Sequence, residues 1–199
     1  SLPAPTAMDT MSVTVLHAWA DTLPLRFWSI DDSYLYTVEA ELFVNGEKTD
    51  AQQLTTGFRA VSYDKDRGLR INGAVQWLRG YAQRAANEWA AIGIAPEWLH
   101  DEDAALIRES SANHIRFMHV AGSPADVRAV DRRGIGCTQP AGDKEKESFG
   151  RQWDQRVELM RDVIIAFRHH PASLFWEAGA PSLSRALLRE LRLLTQRLA

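Results

Sequence analysis

Residues 112–140 read ANHIRFMHVAGSPADVRAVDRRGIGCTQP, an apolar run, a capped helix and a second apolar run within one short stretch. Ser123-Pro124-Ala125-Asp126 places a hydroxyl at the N-cap, proline at the first helical position and an acid at the third, where unpaired backbone N–H groups favour a carboxylate. Val127 and Val130 supply the apolar face of that helix. Gly134 can take the left-handed conformation that ends it. The flanking runs, His114–Met118 and Ile135–Gln139, then read as parallel strands joined by a helical crossover, because parallel neighbours need a connection of this length.

Working outward, the same rhythm extends from about Trp77 to the C-terminus, with further strands expected at Trp77–Tyr81 and Ser173–Glu177. A helix is expected over Asp101–Ser110, with Ala104, Ala105 and Ile107 toward the sheet. Another follows Ser148, with Trp153, Val157, Met160, Ile164 and Phe167 at intervals of three and four, and Pro171 lies beyond its end. A last helix from about Ser184 carries Leu187, Leu188, Leu191, Leu194 and Leu198 on one stripe. Its reading is a sheet-covering helix, against a partner-binding one.

The first 75 residues have a different period. Val13 and Val15 flank Thr14 in one candidate strand. In Leu35–Val44, Val38, Ala40, Leu42 and Val44 fall on one face and Glu39 and Glu41 on the other, before an Asn45-Gly46 hairpin turn. The returning strand is expected over Gln52–Tyr63. Asn72-Gly73 joins short strands at Leu69–Ile71 and Ala74–Gln76. The expected fold class is thus α/β, a β-sandwich remnant and linking hairpin over residues 1–75 followed over 76–199 by four βα units, the first half of a TIM (β/α)8 barrel.

Bulk composition narrows the function. With 23 basic and 26 acidic residues among 199, the net charge of −3 gives no positive field for nucleic acid or anionic lipid. The apolar stretches fall short of the roughly 20 residues that a membrane helix needs. Ser1-Leu2-Pro3-Ala4-Pro5 lacks the basic and apolar regions of a signal peptide, which leaves the compartment open. The single Cys137 excludes an internal disulfide. His169-His170 and His119 do not have metal-ligand spacing, and Gly134-Ile135-Gly136 precedes a strand rather than a helix. Neither a metal nor a cofactor is expected.

In a βα barrel the C-terminal strand ends converge on one rim. That rule selects Arg79, Arg116, His119, Gln139, Asp143, Trp176 and Glu177 as candidates. Arg116 and His119 can hold a carboxylate and hydrogen-bond a hydroxyl; the alternative is a barrel arginine paired with an acid and a loop histidine. Gln139 to Asp143 reads either as a substrate loop or as an exposed connection. Glu177 is a strand-end carboxylate that is either a site residue or structural.

Phe27-Trp28-Ser29, Leu35-Tyr36-Thr37-Val38, Gly57-Phe58-Arg59, Asn72-Gly73 and Leu78-Arg79-Gly80 are followed by Ala112-Asn113-His114-Ile115-Arg116, His119, Asp131, Gly134-Ile135, His170-Pro171, Phe175-Trp176 and Gly179. In that order and spacing, over about residues 27 to 181, they resemble glycoside hydrolase family 2, the β-galactosidase and β-glucuronidase family. The resemblance implies an immunoglobulin-like sandwich leading into a TIM barrel, a β-linked carbohydrate as ligand, and hydrolysis with retention. Retention takes two carboxyl groups about 5–5.5 Å apart. The family acid/base glutamate, preceded by asparagine, falls here on Ala180-Pro181, and the family nucleophile falls beyond Ala199. Arg84 stands where many members have histidine, Gln139 where many have glutamate, and His169 where asparagine is usual. Glu177, four residues before Pro181, is about 13 Å away along a strand, too far to replace it silently.

The resemblance therefore implies a fragment or degenerate member of a retaining β-glycosidase, inactive as a single chain. Two other readings stay open. One is a non-catalytic carbohydrate-binding module using Arg116, His119, Asp143 and Trp176. The other is a structural half-barrel that associates with itself or with a missing half, since an incomplete barrel leaves strand edges unpaired.

Overall fold

The computed structural model describes residues 24–84, 95–142, 150–177 and 185–198. The candidate strand around Thr14 lies outside them. Strands β1 (Tyr36–Val44) and β2 (Glu47–Thr56) form an antiparallel hairpin. Its turn is Asn45-Gly46, with φ of 53° and 85°, the paired positive values that a two-residue turn demands. A bulge between Leu42 and Phe43 lets Thr49 fall out of register. The returning strand differs from expectation: it starts directly after the turn and ends at Thr56, because the chain must then pass close to another segment. A Cβ at Gly57 would lie 2.7 Å from Pro171 Cγ and 3.0 Å from Trp28 Cβ. Both hairpin faces are open among the described residues, with Leu42 57% and Phe43 55% exposed.

Strands β3 (Val61–Asp64), β4 (Gly68–Ile71) and β5 (Ala74–Val75) make a small antiparallel sheet. Asp64 Oδ1 accepts from the N–H groups of Asp66 and Arg67 at 2.8 and 2.9 Å and so closes the first turn. Asn72-Gly73 closes the second, with φ of 51° and 82°.

The remaining strands are parallel and adjacent in chain order: β6 (Gly80–Arg84), β7 (His114–Met118), β8 (Gly136–Pro140) and β9 (Ser173–Glu177). Helices α1 (Glu97–Glu109), α2 (Pro124–Arg133) and α3 (Arg151–Phe167) lie between them in sequence, and α4 (Arg185–Leu198) follows β9. The mixture of strands and helices with a parallel sheet agrees with the α/β expectation. Helix α1 begins four residues before the expected Asp101. Strand β6 begins three residues after the expected Trp77, because the backbone groups just before it are taken by a side chain: Asn113 Oδ1 accepts from Arg79 N at 2.7 Å, and Asn113 Nδ2 donates to Trp77 O at 2.9 Å.

Helix α2 carries the capping box expected of Ser123 and Asp126. Ser123 Oγ accepts from Asp126 N at 3.2 Å while Asp126 Oδ2 accepts from Ser123 N at 2.8 Å. The other carboxylate oxygen of Asp126 lies 2.6 Å from Nδ1 of buried His100 on α1, so the cap also joins two helices. Gly134 ends the helix at φ 64°. Replacing Ser123 by alanine is expected to lower stability by about 1 kcal/mol, the usual value of a lost N-cap, measured as a shift of the urea midpoint at unchanged m-value.

Ile115 and Phe117 of β7, Cys137 of β8 and Leu174 of β9 form the core with Ala104 and Ile107 of α1, Val127 and Val130 of α2, and Val163 and Phe167 of α3. Burial raises the Cys137 thiol pKa, so this cysteine packs as a small hydrophobe. A second cluster joins Ala141, Trp153, Met160 and Ile164, with Leu194 of α4 against it. Trp28, Ile30 and Ile71 reach the main core from the N-terminal region.

Their entry is fixed by polar contacts at the N-terminal end of the sheet. Trp28 is fully buried and its Nε1 donates to Asp131 O at 2.9 Å. The Asp131 carboxylate accepts from Ala172 N at 2.8 Å and lies 2.5 Å from His170 Nδ1. Arg59 donates through Nε to Pro171 O and through a terminal nitrogen to Ser173 O at 2.6 Å. Burial pulls the Arg59 pKa down, with the Asp131 charge opposing, but the carbonyl acceptors hold the guanidinium in place. Asn72 Nδ2 donates to Trp28 O at 2.9 Å. Trp28, Gly57, Arg59, Asn72, Asp131 and His170-Pro171 thus form one junction between the N-terminal strands and the turn leading into β9. Among the described residues no helix is long and apolar enough to cross a membrane.

Candidate functional site

Alternation along β7 sorts its side chains. Ile115 and Phe117, each 1% exposed, face the helices. His114, Arg116 and Met118 are partly exposed on the other face. In register with them, Thr138 of β8 pairs with Arg116 and Phe175 of β9 pairs with Thr138. His114 Nε2 is 3.1 Å from Thr138 Oγ1, and its ring meets the Phe175 ring edge-on at 5.9 Å between centroids. Burial lowers the pKa of His114 and so favours the neutral ring.

The polar centre of this face is Arg116 with Glu177. The guanidinium Nε donates to Glu177 Oε2 and a terminal nitrogen to Oε1, each at 2.5 Å. The pair spans the intervening strand β8, whose Pro140 is the register partner of Glu177. The two side chains are 40% and 21% exposed, so the pair lies at the surface of the face rather than beneath it. Charge-assisted, two-pronged contacts of this kind hold orientation strongly. Both oxygens of Glu177 receive N–H donors, which leaves the carboxylate suited to anchoring rather than to delivering a proton. Of the alternatives for Arg116, the structure combines them: an arginine paired with an acid, at an accessible strand end.

His119 follows β7 directly and has φ 72°. A side chain in the left-handed region is uncommon outside Gly, Asn, Asp and His. This turn brings the partly exposed imidazole to the same end of the sheet as Glu177. Arg116, His119 and Glu177 therefore share the C-terminal end of the parallel strands.

Three other candidates lie away from this group. Arg79 precedes β6 and stands at the N-terminal end of the sheet, away from Glu177; the late start of β6 puts it there. Gln139 is 0% exposed, and its Oε1 accepts from Gly122 N at 3.1 Å while Nε2 approaches Cys137 Sγ at 3.9 Å. It fixes the loop into α2 on the helix-facing side and offers nothing to a ligand. Trp176, register partner of Gln139, packs against both hydrophobic clusters. Asp143, Ala180 and Pro181 lie outside the described residues. His114, Thr138 and Phe175 are not among the site candidates of the sequence, though the two-residue period of His114–Met118 places His114 beside Arg116. Among the described residues no group of three or more His, Cys, Asp or Glu side chains could hold a metal ion.

No family-wide sequence model matches the chain. Individual proteins do. A β-glucuronidase of Formosa agariphila is 34% identical over 167 residues, covering 83% of this chain and 17% of its own length. A β-galactosidase of Bacteroides ovatus is 26% identical over 163 residues, covering 77% of this chain and 19% of its own length. Among solved structures, a β-glucuronidase from glycoside hydrolase family 2 superposes with a TM-score of 0.78 at 31% identity, covering 87% of this chain and 18% of that one. A family 2 member from Bacteroides cellulosilyticus, at 21% identity and a TM-score of 0.75, shares the fold. The chain spans about a fifth of the length of these relatives, and over the residues they share with it the chain belongs to glycoside hydrolase family 2.

Proposed function

We propose that this chain supplies the first half of the (β/α)8 barrel of a retaining β-glycosidase, β-glucuronidase- or β-galactosidase-like. In this reading residues 76–199 are four βα units and residues 1–75 the sandwich remnant and linking hairpin. The sheet face bearing Arg116 and Glu177 is the sugar-facing wall. The chain on its own is catalytically silent.

One observation carries the reading: a two-pronged Arg116–Glu177 pair, partly open to solvent, at the C-terminal end of consecutive parallel strands. In βα barrels that end is where ligands are handled. The imidazole of His119 at the same strand end offers a donor to sugar hydroxyls. Catalysis with retention needs a carboxyl group able to protonate the leaving oxygen and another able to attack. Glu177 is held by a guanidinium on both oxygens, and Pro181 stands at the position where the family carries its acid.

Binding to this wall is testable apart from turnover. Calorimetry with phenyl β-glucuronide and phenyl β-galactoside is expected to show millimolar-range binding that weakens about tenfold, or 1.4 kcal/mol, in Arg116→Ala and less in Arg116→Lys. No heat at millimolar ligand, or binding indifferent to Arg116, would contradict the proposal.

A further inference from the structure

At the N-terminal end of the parallel sheet, opposite Glu177, an open cleft of about 450 Å3 is lined by Asp31, Trp77, Arg79, Arg108, Ser111 and Asn113, among others. Its volume falls within the range of small-molecule sites. Trp77 is 82% exposed, an unusual position for a side chain whose burial is worth several kcal/mol.

The backbone that carries these groups is fixed. Buried Asn113 donates from Nδ2 to Trp77 O at 2.9 Å and accepts at Oδ1 from Arg79 N at 2.7 Å. Arg108 lies in the last turn of α1, where its carbonyl accepts from Ser111 N at 2.9 Å, with Ser111 at φ 63°. Neither Arg79 nor Arg108 makes an ion pair among the described residues, and Asp31 in the same cleft is bonded to neither. Two guanidinium groups against one carboxylate leave the cleft with an excess positive charge.

We propose that this cleft is a second binding site, for a carboxylate-bearing saccharide. The Trp77 indole lies against the C–H face of the sugar ring, and Arg79 and Arg108 take the carboxylate. An aromatic platform beside planar forked donors matches a ligand with one apolar face and one anionic group. That the ligand is a sugar rests on the glycosidase reading above; that it is anionic rests on the two arginines alone.

The test uses the full chain with the tryptophan indoles labelled with nitrogen-15. Titration with glucuronate is expected to shift the Trp77 indole resonance, with glucose binding about tenfold weaker or worse. By calorimetry, Trp77→Ala and Arg108→Gln each weaken glucuronate binding about tenfold, while Arg116→Ala leaves the Trp77 response unchanged. Both cleft positions are solvent-facing enough for the variants to fold.

Absence of any Trp77 shift at millimolar glucuronate overturns the proposal. So does calorimetric binding of inorganic phosphate that equals that of glucuronate and survives Trp77→Ala, which marks an unspecific anion contact. A response abolished by Arg116→Ala moves the ligand to the other end of the sheet and also overturns it. Loss of aryl glycoside binding with a retained Trp77 response removes the sugar-facing wall and leaves this site standing.

Discussion

Replacing Asp131 by alanine is expected to destabilise the fold by about 2–6 kcal/mol, about 1–3 kcal/mol for each of two buried donors left without an acceptor. The carboxylate is 2% exposed and serves two groups at once, the Ala172 N–H and the His170 ring. Alanine leaves both donors buried without an acceptor, and each unpaired group carries its own desolvation cost. The effect reaches beyond helix α2, because these donors belong to the turn that sets the start of β9 and therefore the position of Glu177. Asparagine at position 131 keeps one oxygen acceptor and should retain part of the loss. Urea denaturation of the two variants measures the difference, and a midpoint for Asp131→Ala near that of the parent would refute the role assigned to the junction.

Trp28→Ala should cost a similar amount, about 3–5 kcal/mol. The indole is fully buried among residues of the main core and donates through Nε1 to Asp131 O. Its removal opens a cavity between the N-terminal strands and the parallel sheet, and leaves Asp131 O with the longer contact from Gly134 N at 3.5 Å. Phenylalanine fills part of the space without the donor, so Trp28→Phe should fall between parent and alanine. Calorimetric unfolding of the three proteins would show whether the N-terminal strands and the sheet melt as one unit. A separate early transition in Trp28→Ala, with the parent melting in one, is the expected pattern; unchanged melting in all three would mean that the indole does not couple them.

These two residues explain what was legible in the sequence. Local signals sit in contiguous residues: Ser123 to Asp126 spell a capped helix, Asn45-Gly46 and Asn72-Gly73 spell turns, and the structure has each of them. The scattered marks from Trp28 to His170-Pro171 suggested the family but not their own purpose. Sequence cannot show that Trp28, Arg59 and Asp131 meet, since 103 residues separate the first from the last. Their job is to join two parts of the fold.

Side-chain direction in the short strands was less accessible. Both faces of a buried parallel strand are largely apolar, so alternation fails to say which face looks where. Gln139 and Trp176 were therefore read as rim groups, although both turn toward the helices. A register shift between Cys137 and Thr138 adds to the ambiguity, because a one-residue slip exchanges the faces. Arg79 was misplaced for another reason: Trp77-Leu78-Arg79 looks like a strand, but the Asn113 side chain takes the hydrogen bonds that a strand neighbour would have made. Arg116 and Glu177 stand in the sequence as two separate candidates, and only the fold pairs them.

That pairing bears directly on chemistry. A glutamate four residues before the family's acid position invites the idea of a substitute proton donor, and its contacts with Arg116 argue against it. The decisive measurement is release of 4-nitrophenol from 4-nitrophenyl β-glucuronide and β-galactoside by the purified chain, alongside Glu177→Gln. No turnover above background is expected from either protein; turnover by the parent that Glu177→Gln abolishes would show that Glu177 is a catalytic carboxyl group and that the chain is an enzyme by itself.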